Sequence, residues 1–247
     1  MDCQLDCLEE FYVSEQAQDI REVSRAVRTE LDKTVGTVPL GIADVHHDPR
    51  LPLHDAPAAA RVIASGTVRT IDAGRHIDAH GVSHWFAGVL GAGFDSVVNE
   101  RANTWGWPRG RMRYNLAVAR ELPVFKPIPY VIEVDGVRMS TQAMLVAVAN
   151  GPSYGGGMMV CPDASFEDGM FDILVVHQIS TIEFLKVFPK VFSGKHVGHP
   201  AVEILRGRQV RLEASAIISY ADGERFAPLP MSCENVPAAL NVLVPDL

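Results

Sequence analysis

The sequence predicts an α+β fold: a short α/β segment over residues 1–66, then a β-rich domain over residues 67–247 that carries two helices. Three observations predict it. Apolar residues recur at helical spacing only in a few separate windows, the first holding Ile20, Val23, Val27 and Leu31. From Val68 onward, short apolar or alternating stretches recur with Gly, Pro and Asp-Gly between them, which is the texture of strands and turns. A chain of 247 residues that is 47% hydrophobic and 21% charged can bury a sizeable core, as one large domain or two small ones.

The elements follow in order. Residues 1–18 show no strong period. "IREVSRAVRTELDK" (20–33) reads as one amphipathic helix. "VGTVPLGIADV" (35–45) suits a buried strand and a turn, and the prolines of "HHDPRLPLHDAP" mark a loop. "APAAARVIAS" is a short helix ending at Gly66. "VRTIDAGRH", "SHWFAGVLGAGF", "IPYVIEVDG" and "STQAMLVAVANG" read as strands. "RGRMRYNLAVARELPVF" reads as a helix stopping before Pro123, and "FDILVVHQI" as a strand. "STIEFLKVFPKVFSG" opens with Ser180 and has Glu183 three residues on, a capping box. Leu185, Val187 and Phe188 would form its apolar face, and Pro189 would kink it. "AVEILRGRQVRLEA", "AIISYADGERF" and "AALNVLVP" complete the chain as strands and hairpins, with Gly207 marking a tight turn.

Charge and cysteine use exclude several functions. The net charge of -8, with no basic stripe, does not steer toward nucleic acid. Cys3, Cys7, Cys161 and Cys233 offer one loose pair and no accompanying histidine cluster, so no zinc site is expected, and their scarcity suits a reducing cytoplasm. The acidic start "MDCQLDCLEE" lacks the charge and apolar core of a secretory signal. No stretch approaches the length of a membrane span, so any membrane contact would be peripheral.

Chemistry concentrates in "SYGGGMMVCPDASFEDGMFDI" (153–173). Gly155, Gly156 and Gly157 would let a backbone approach a ligand closely, and they equally suit a sheet corner. No Gly-Lys-Ser/Thr follows them, so they are no phosphate loop. Asp168 precedes Gly169 at a turn ahead of a strand, where a carboxylate could take a proton from a hydroxyl or simply make an Asp-Gly turn. Asp222 and Glu224 flank Gly223 in a second acidic turn. His46 and His47 near Asp44 and Asp48 read as solvated loop residues, and His76, His80 and His84 carry no assigned role. There is no nucleophile elbow and no dinucleotide fingerprint.

Four stretches carry a family resemblance: "GAGFDSVVNERAN", "WPRGRMRYNLAVARELP", "NGPSYGGGMMVCPDASFEDGMFDI" and "YADGERFAPLP". Together they resemble the C-terminal domain of bacterial diacylglycerol kinases, a superfamily that includes the sphingosine kinases. The likeness extends over about residues 36–245, and its motifs (Gly-Phe-Asp, Gly-Gly-Gly, Pro-x-Ala-x-x-x-Asp-Gly, Asp-Gly-Glu) occur in order. The resemblance implies a β-sandwich that receives the lipid, preceded by an α/β nucleotide-binding domain. In the cleft between them the γ-phosphate of ATP passes to a lipid hydroxyl such as that of diacylglycerol, with Mg2+. It implies Asp168 as general base, with Gly155, Gly156 and Gly157 along the substrate cleft. Asp222, Gly223 and Glu224 would lie toward the nucleotide, as would Gly41.

The chain departs from that pattern in its first 66 residues. A Gly-Gly-Asp-Gly loop belongs before the helix at 20–33, where "SEQAQDIREVS" stands without a glycine. A Gly-Thr-Gly-Asn-Asp loop belongs after Pro39, where Gly41 is followed by Ile42, Ala43, Asp44 and Val45. Such a segment exposes few consecutive N–H groups to phosphates. Residues 1–66 therefore read as a truncated remnant of the nucleotide domain, and turnover is expected to be impaired. The alternative is a catalytically silent lipid-binding module. A sheet whose partner strands are missing would leave an open edge, which points to a homo-oligomer or a partner chain.

Overall fold

The computed structural model describes residues 67–77, 79–107, 111–154 and 157–244. The helices expected over 20–33 and 56–65, the strand over 35–45, and Gly41, His46, His47, Cys3, Cys7, Gly155 and Gly156 lie outside the described residues. Among the described residues, eleven strands and three α-helices follow one another. They are β1 (Thr67–Ile77), β2 (Ser83–Phe86), β3 (Val89–Gly93), α1 (Phe94–Asn103), α2 (Arg111–Glu121), β4 (Ile128–Val134), β5 (Val137–Ala149) and β6 (Phe171–His177). Then come α3 (Thr181–Val187), two 3₁₀ turns (Phe188–Ser193 and Lys195–Gly198), β7 (Val202–Gly207), β8 (Gln209–Glu213), β9 (Ile218–Ala221), β10 (Glu224–Pro228) and β11 (Met231–Val244). Every pairing between these strands is antiparallel.

The strands run β10-β9-β3-β5-β4-β8-β11-β1-β2, and β6 pairs with both β5 and β7. Strand β5 is the hinge of this arrangement. Its first half pairs with β4 and its second half lies between β3 and β6. The two faces of that second half enter different cores. Val146 and Val148 join Leu90, Phe171, Ile173, Leu212 and Met231 in an inner core between sheet layers. Met144, Ala147 and Ala149 join Val89, Leu174, Phe94, Phe184 and Val191 in an outer core beneath the helices. A strand buried on both faces has no polar face to alternate with, which is why "AMLVAVA" and "ILVV" read as unbroken apolar runs. The architecture is thus sandwich-like, mostly antiparallel sheet with few helices.

Three expectations change. The segment "SHWFAGVLGAGF" is two strands, β2 and β3, and its Phe94 opens a helix. That helix, α1, makes the α-helices of the described residues three rather than two, and Phe94, Val98 and Ala102 bury its inner side at four-residue spacing. Gly207 closes no hairpin: β7 ends there and pairs with β6, whereas β8 pairs with β4 and β11, so the chain changes layers across Arg208. Leu185 faces solvent at 55% exposure, and Phe184 takes its place in the outer core. Ser180 caps α3 as expected, its hydroxyl accepting the Glu183 N–H at 3.2 Å. The helix ends at Val187, before Pro189, and continues as a 3₁₀ turn.

Candidate active site

The expected site residues meet around one buried asparagine. Asn150 follows β5 and is fully buried. Its Nδ2 donates to the carbonyls of Asp72 and Ala87, both at 2.8 Å, and its Oδ1 accepts from Asn235 Nδ2 at 2.8 Å. Its backbone N–H reaches the Gly88 carbonyl at 2.9 Å. Gly151, next along, has no room for a side chain: a Cβ there would stand 1.9 Å from the Phe166 ring. The backbone therefore lies directly on the loop that carries the acidic turn.

From Asn150 the network runs to Asp168. Register between β1 and β11 shifts between Ile71 and Ala73, opposite Pro237, Ala238 and Ala239. That bulge takes Asp72 out of the ladder. Its N–H donates to Phe166 O, and its carboxylate accepts Gly169 N–H at 2.7 Å and Ala238 N–H at 2.8 Å. Two backbone amides thereby replace the water that a buried carboxylate gives up. The Asp168–Gly169 turn is fixed from beneath, and Asp168 itself stays partly exposed. Its Oδ1 accepts the Met170 N–H at 3.0 Å, and its Oδ2 takes an Arg206 N–H at 2.5 Å. Arg206 also reaches Asp172 at 3.3 Å. Burial pushes the Asp172 carboxyl up, against the pull of Arg206, with the negative charges of Asp168 and Asp163 adding to the rise. Asp172 Oδ2 is buried without a hydrogen-bond partner.

In the other direction the network runs to the second acidic turn. Asp222 and Gly223 both have positive φ, 50° and 81°, closing the β9–β10 hairpin as the two central residues of a tight turn. The Asp222 carboxylate is buried and accepts the N–H groups of Ala87, Gly88 and Val89 at 2.7, 2.9 and 3.2 Å. It thus clasps the turn between β2 and β3, whose Ala87 and Gly88 carbonyls are bound by Asn150. Beside this hairpin opens a cavity of about 220 Å3, lined by Asp222, Glu224, Arg225, His84, Trp85 and Phe226. Arg75 lies over the Trp85 ring at 5.4 Å, and His84 stacks on His76 at 6.0 Å. From the far side α1 braces the hairpin: Glu100 accepts from Tyr220 at 2.6 Å and from Arg225 at 3.0 Å.

Tyr154, just ahead of the glycines, meets a buried acid. Gly157 has φ 107°, a conformation that a side chain would strain. Three residues earlier, Tyr154 pairs across the loop with Met158, and its hydroxyl donates to Asp95 Oδ2 at 3.4 Å. Asp95 stands in the first turn of α1, and its Oδ1 is buried without a partner. Burial raises its pKa to about 6, against the downward pull of hydrogen bonds from its own and the Ser96 backbone and from Tyr154.

Several of these residues were not singled out in sequence. Asn150 and Asp72 sit at or near strand ends among apolar neighbours, where one polar residue in a run is the only signal, and Asn235 and Arg206 stand close to other charged residues, Glu234 and Arg208, that blur even that. Asp95 stood in the Gly-Phe-Asp motif without a role, and His84 had none. Asp222 and Glu224 both line the cavity, and the Asp222 carboxylate is spent largely on backbone amides. Among the described residues, no group of three or more His, Cys, Asp or Glu is placed to hold a metal ion. The donor set builds no protein cage for Mg2+, an ion that in phosphoryl-transfer sites relies on one or two carboxylates and the phosphates themselves. No helix of the described residues is long and apolar enough to cross a membrane.

The fold is a mostly antiparallel, sandwich-like domain, and residues 88–244 match the family described as the YegS C-terminal NAD kinase beta sandwich-like domain. The chain is 40% identical over 216 residues to a diacylglycerol kinase of Mycobacterium tuberculosis, covering 87% of this chain and 70% of that one. It is 26% identical over 215 residues to a diacylglycerol kinase of Bacillus subtilis, covering 86% and 69%. Among solved structures, a candidate diacylglycerol kinase from Bacillus anthracis superposes with a TM-score of 0.56 at 21% identity, over 75% of this chain and 60% of that one, a likeness of fold. The chain belongs to the diacylglycerol kinase family of lipid-kinase-like proteins.

Proposed function

We propose that the protein is a diacylglycerol-kinase-like lipid kinase that passes the γ-phosphate of ATP to a lipid hydroxyl, with Asp168 as general base. The single observation behind this is the hydrogen-bonded path through Asp72, Asn150 and Asp222. It ties the Asp168 turn and the cavity-side hairpin into one hydrogen-bonded frame. Phosphoryl transfer depends mostly on such positioning. In this reading Asp168 takes the proton as the lipid oxygen attacks the γ-phosphorus and ADP leaves. Glu224 and Gly223 face the nucleotide, with Asp222 holding their turn and Gly41 contributing from the first 66 residues. Gly155, Gly156 and Gly157 border the lipid. Mg2+ would arrive on the nucleotide and offset its charge.

A second reading, a catalytically silent lipid-binding module, draws support from the glycine-free "SEQAQDIREVS" and from Ile42 and Ala43 beside Gly41. Calorimetry with Mg-ATP and the full chain separates the two. Micromolar to low-millimolar binding that weakens in Glu224→Ala supports the kinase, and no binding by the folded chain leaves the silent module. Asp222→Ala is the poorer probe, because it strands three backbone amides.

A further inference from the structure

The face built by α3 and the two 3₁₀ turns after it is apolar where a helix end normally meets water. Ile182, Leu185 and Phe192 are 69%, 55% and 50% exposed. Ile182 and Leu185, three apart, share one side of α3. Phe192 is no loose side chain. It ends an aromatic series in which Phe94 packs on Phe184, Phe184 on Phe188, and Phe188 on Phe192, at centroid distances of 5.3, 5.9 and 6.3 Å. The outer core thus holds an aromatic ring at the surface.

The charge around these residues is opposite to that of the whole chain. Lys186, Lys190 and Lys195 are exposed among them. The one acid of the segment 181–199, Glu183, is engaged by His199 at 3.2 Å. In a chain of net charge -8 this is a local cationic surface on a body that anionic lipid otherwise repels. Exposed apolar side chains interleaved with lysines are the composition of segments that lie in a membrane interface.

We infer that this face docks on an anionic lipid bilayer, with Ile182, Leu185 and Phe192 at the headgroup level and Lys186, Lys190 and Lys195 against lipid phosphates. The inference deepens the lipid-kinase reading, and rests on it for its purpose. Docking here is coupled to the site through the backbone. The Met159 N–H donates to Val191 O at 3.0 Å, and the His196 ring bonds the Val160 carbonyl at 3.0 Å. The segment between the glycines and Asp168 is therefore carried on the docking turns.

The test is flotation of the full chain, without ATP or diacylglycerol, with vesicles of phosphatidylcholine alone or mixed equally with phosphatidylglycerol. The chain is expected to bind the mixed vesicles preferentially and to release at ~1 M salt, where the Debye length is about 3 Å. Each of Lys186→Ala, Lys190→Ala and Lys195→Ala should weaken binding about fivefold, and the triple variant about a hundredfold. Phe192→Ser should weaken it about tenfold. An unchanged thermal transition in these surface variants excludes misfolding as the cause. Undiminished binding by the triple variant, equal binding to both vesicles, or no binding by the parent overturns the inference. So does a parent dimer that Phe192→Ser dissociates while vesicle binding persists, since the face is then an interface between copies. Failure of the kinase reading alone leaves vesicle binding intact.

Discussion

Asp95 and Asp168 show how differently two carboxylates of one site are treated. Asp95 is buried, and its pKa is raised to about 6 from 3.8. A raised carboxyl favours the protonated form in the folded state. Between these two values the native protein holds more protons than the unfolded chain, so this group makes stability fall as pH rises through the window, then level off above it. The shift corresponds to about 3 kcal/mol. Asp95→Asn should abolish that slope, so the variant gains on the parent between pH 4 and 6 in denaturant titrations. Comparison with the parent cancels Glu100, Glu167 and Glu213, which arginine or tyrosine partners pull down and which lose stability as pH falls. Equal slopes in both proteins would mean that Asp95 is hydrated. Asp168 is the opposite case. Its pair with Arg206 is exposed, and exposed pairs contribute under about 1 kcal/mol. On the kinase reading, Asp168→Asn should leave the thermal midpoint nearly unchanged while lowering phosphoryl transfer to diacylglycerol about 10²- to 10⁴-fold, measured with Mg-ATP. Activity near the parent's would remove Asp168 from the chemistry.

At the scale of elements, the acidic turns owe their placement to Asn150. Asn150→Ala would leave the Asp72 and Ala87 carbonyls without their side-chain donor and would leave Asn235 Nδ2 only its bond to the Met170 carbonyl. At about 1–3 kcal/mol for each stranded buried group, the loss should reach roughly 3–5 kcal/mol in the denaturant midpoint. A loss under about 1 kcal/mol would mean that the turns hold themselves. This dependence also explains what could be read in the sequence. The strands, the cap at Ser180 and the stop before Pro123 were legible because period, capping and proline act within a few residues. Asp168 and the Asp222 turn were legible because Asp-Gly is a local signal reinforced by a family pattern. Helix α1 was hidden inside an apolar stretch, although Phe94, Val98 and Ala102 already had its spacing. The hub at Asn150 and the bulge at Asp72 depend on partners more than 60 residues away, such as Ala87 and Gly169, and the layer change at Gly207 depends on β4, β6 and β11. Leu185 was assigned to the core by spacing alone, and spacing cannot tell a core from a docking face.

For the whole molecule, the decisive element is β5, which supplies the inner core through Val146 and Val148 and the outer core through Met144, Ala147 and Ala149. Two cores that share a strand cannot lose their packing separately, because freeing β5 from one exposes it to the other. Each core also contains a buried thiol that reports on it: Cys161 in the outer, Cys233 in the inner. Burial pushes the Cys233 thiol up to about 12 and that of Cys161 higher still, with the charges of Glu234 and Asp172 adding to the effect. Neither presents a thiolate in the native protein near neutral pH. Pulsed alkylation across a urea series, read by peptide mapping, should find both cysteines protected in the native state. They should become reactive at one common midpoint, which coincides with loss of the circular dichroism signal. If Cys161 reacts at lower urea than Cys233, the helical side opens while the inner sandwich persists. The outer core, with Asp95 and the docking turns, is then a separable layer rather than part of a single cooperative body.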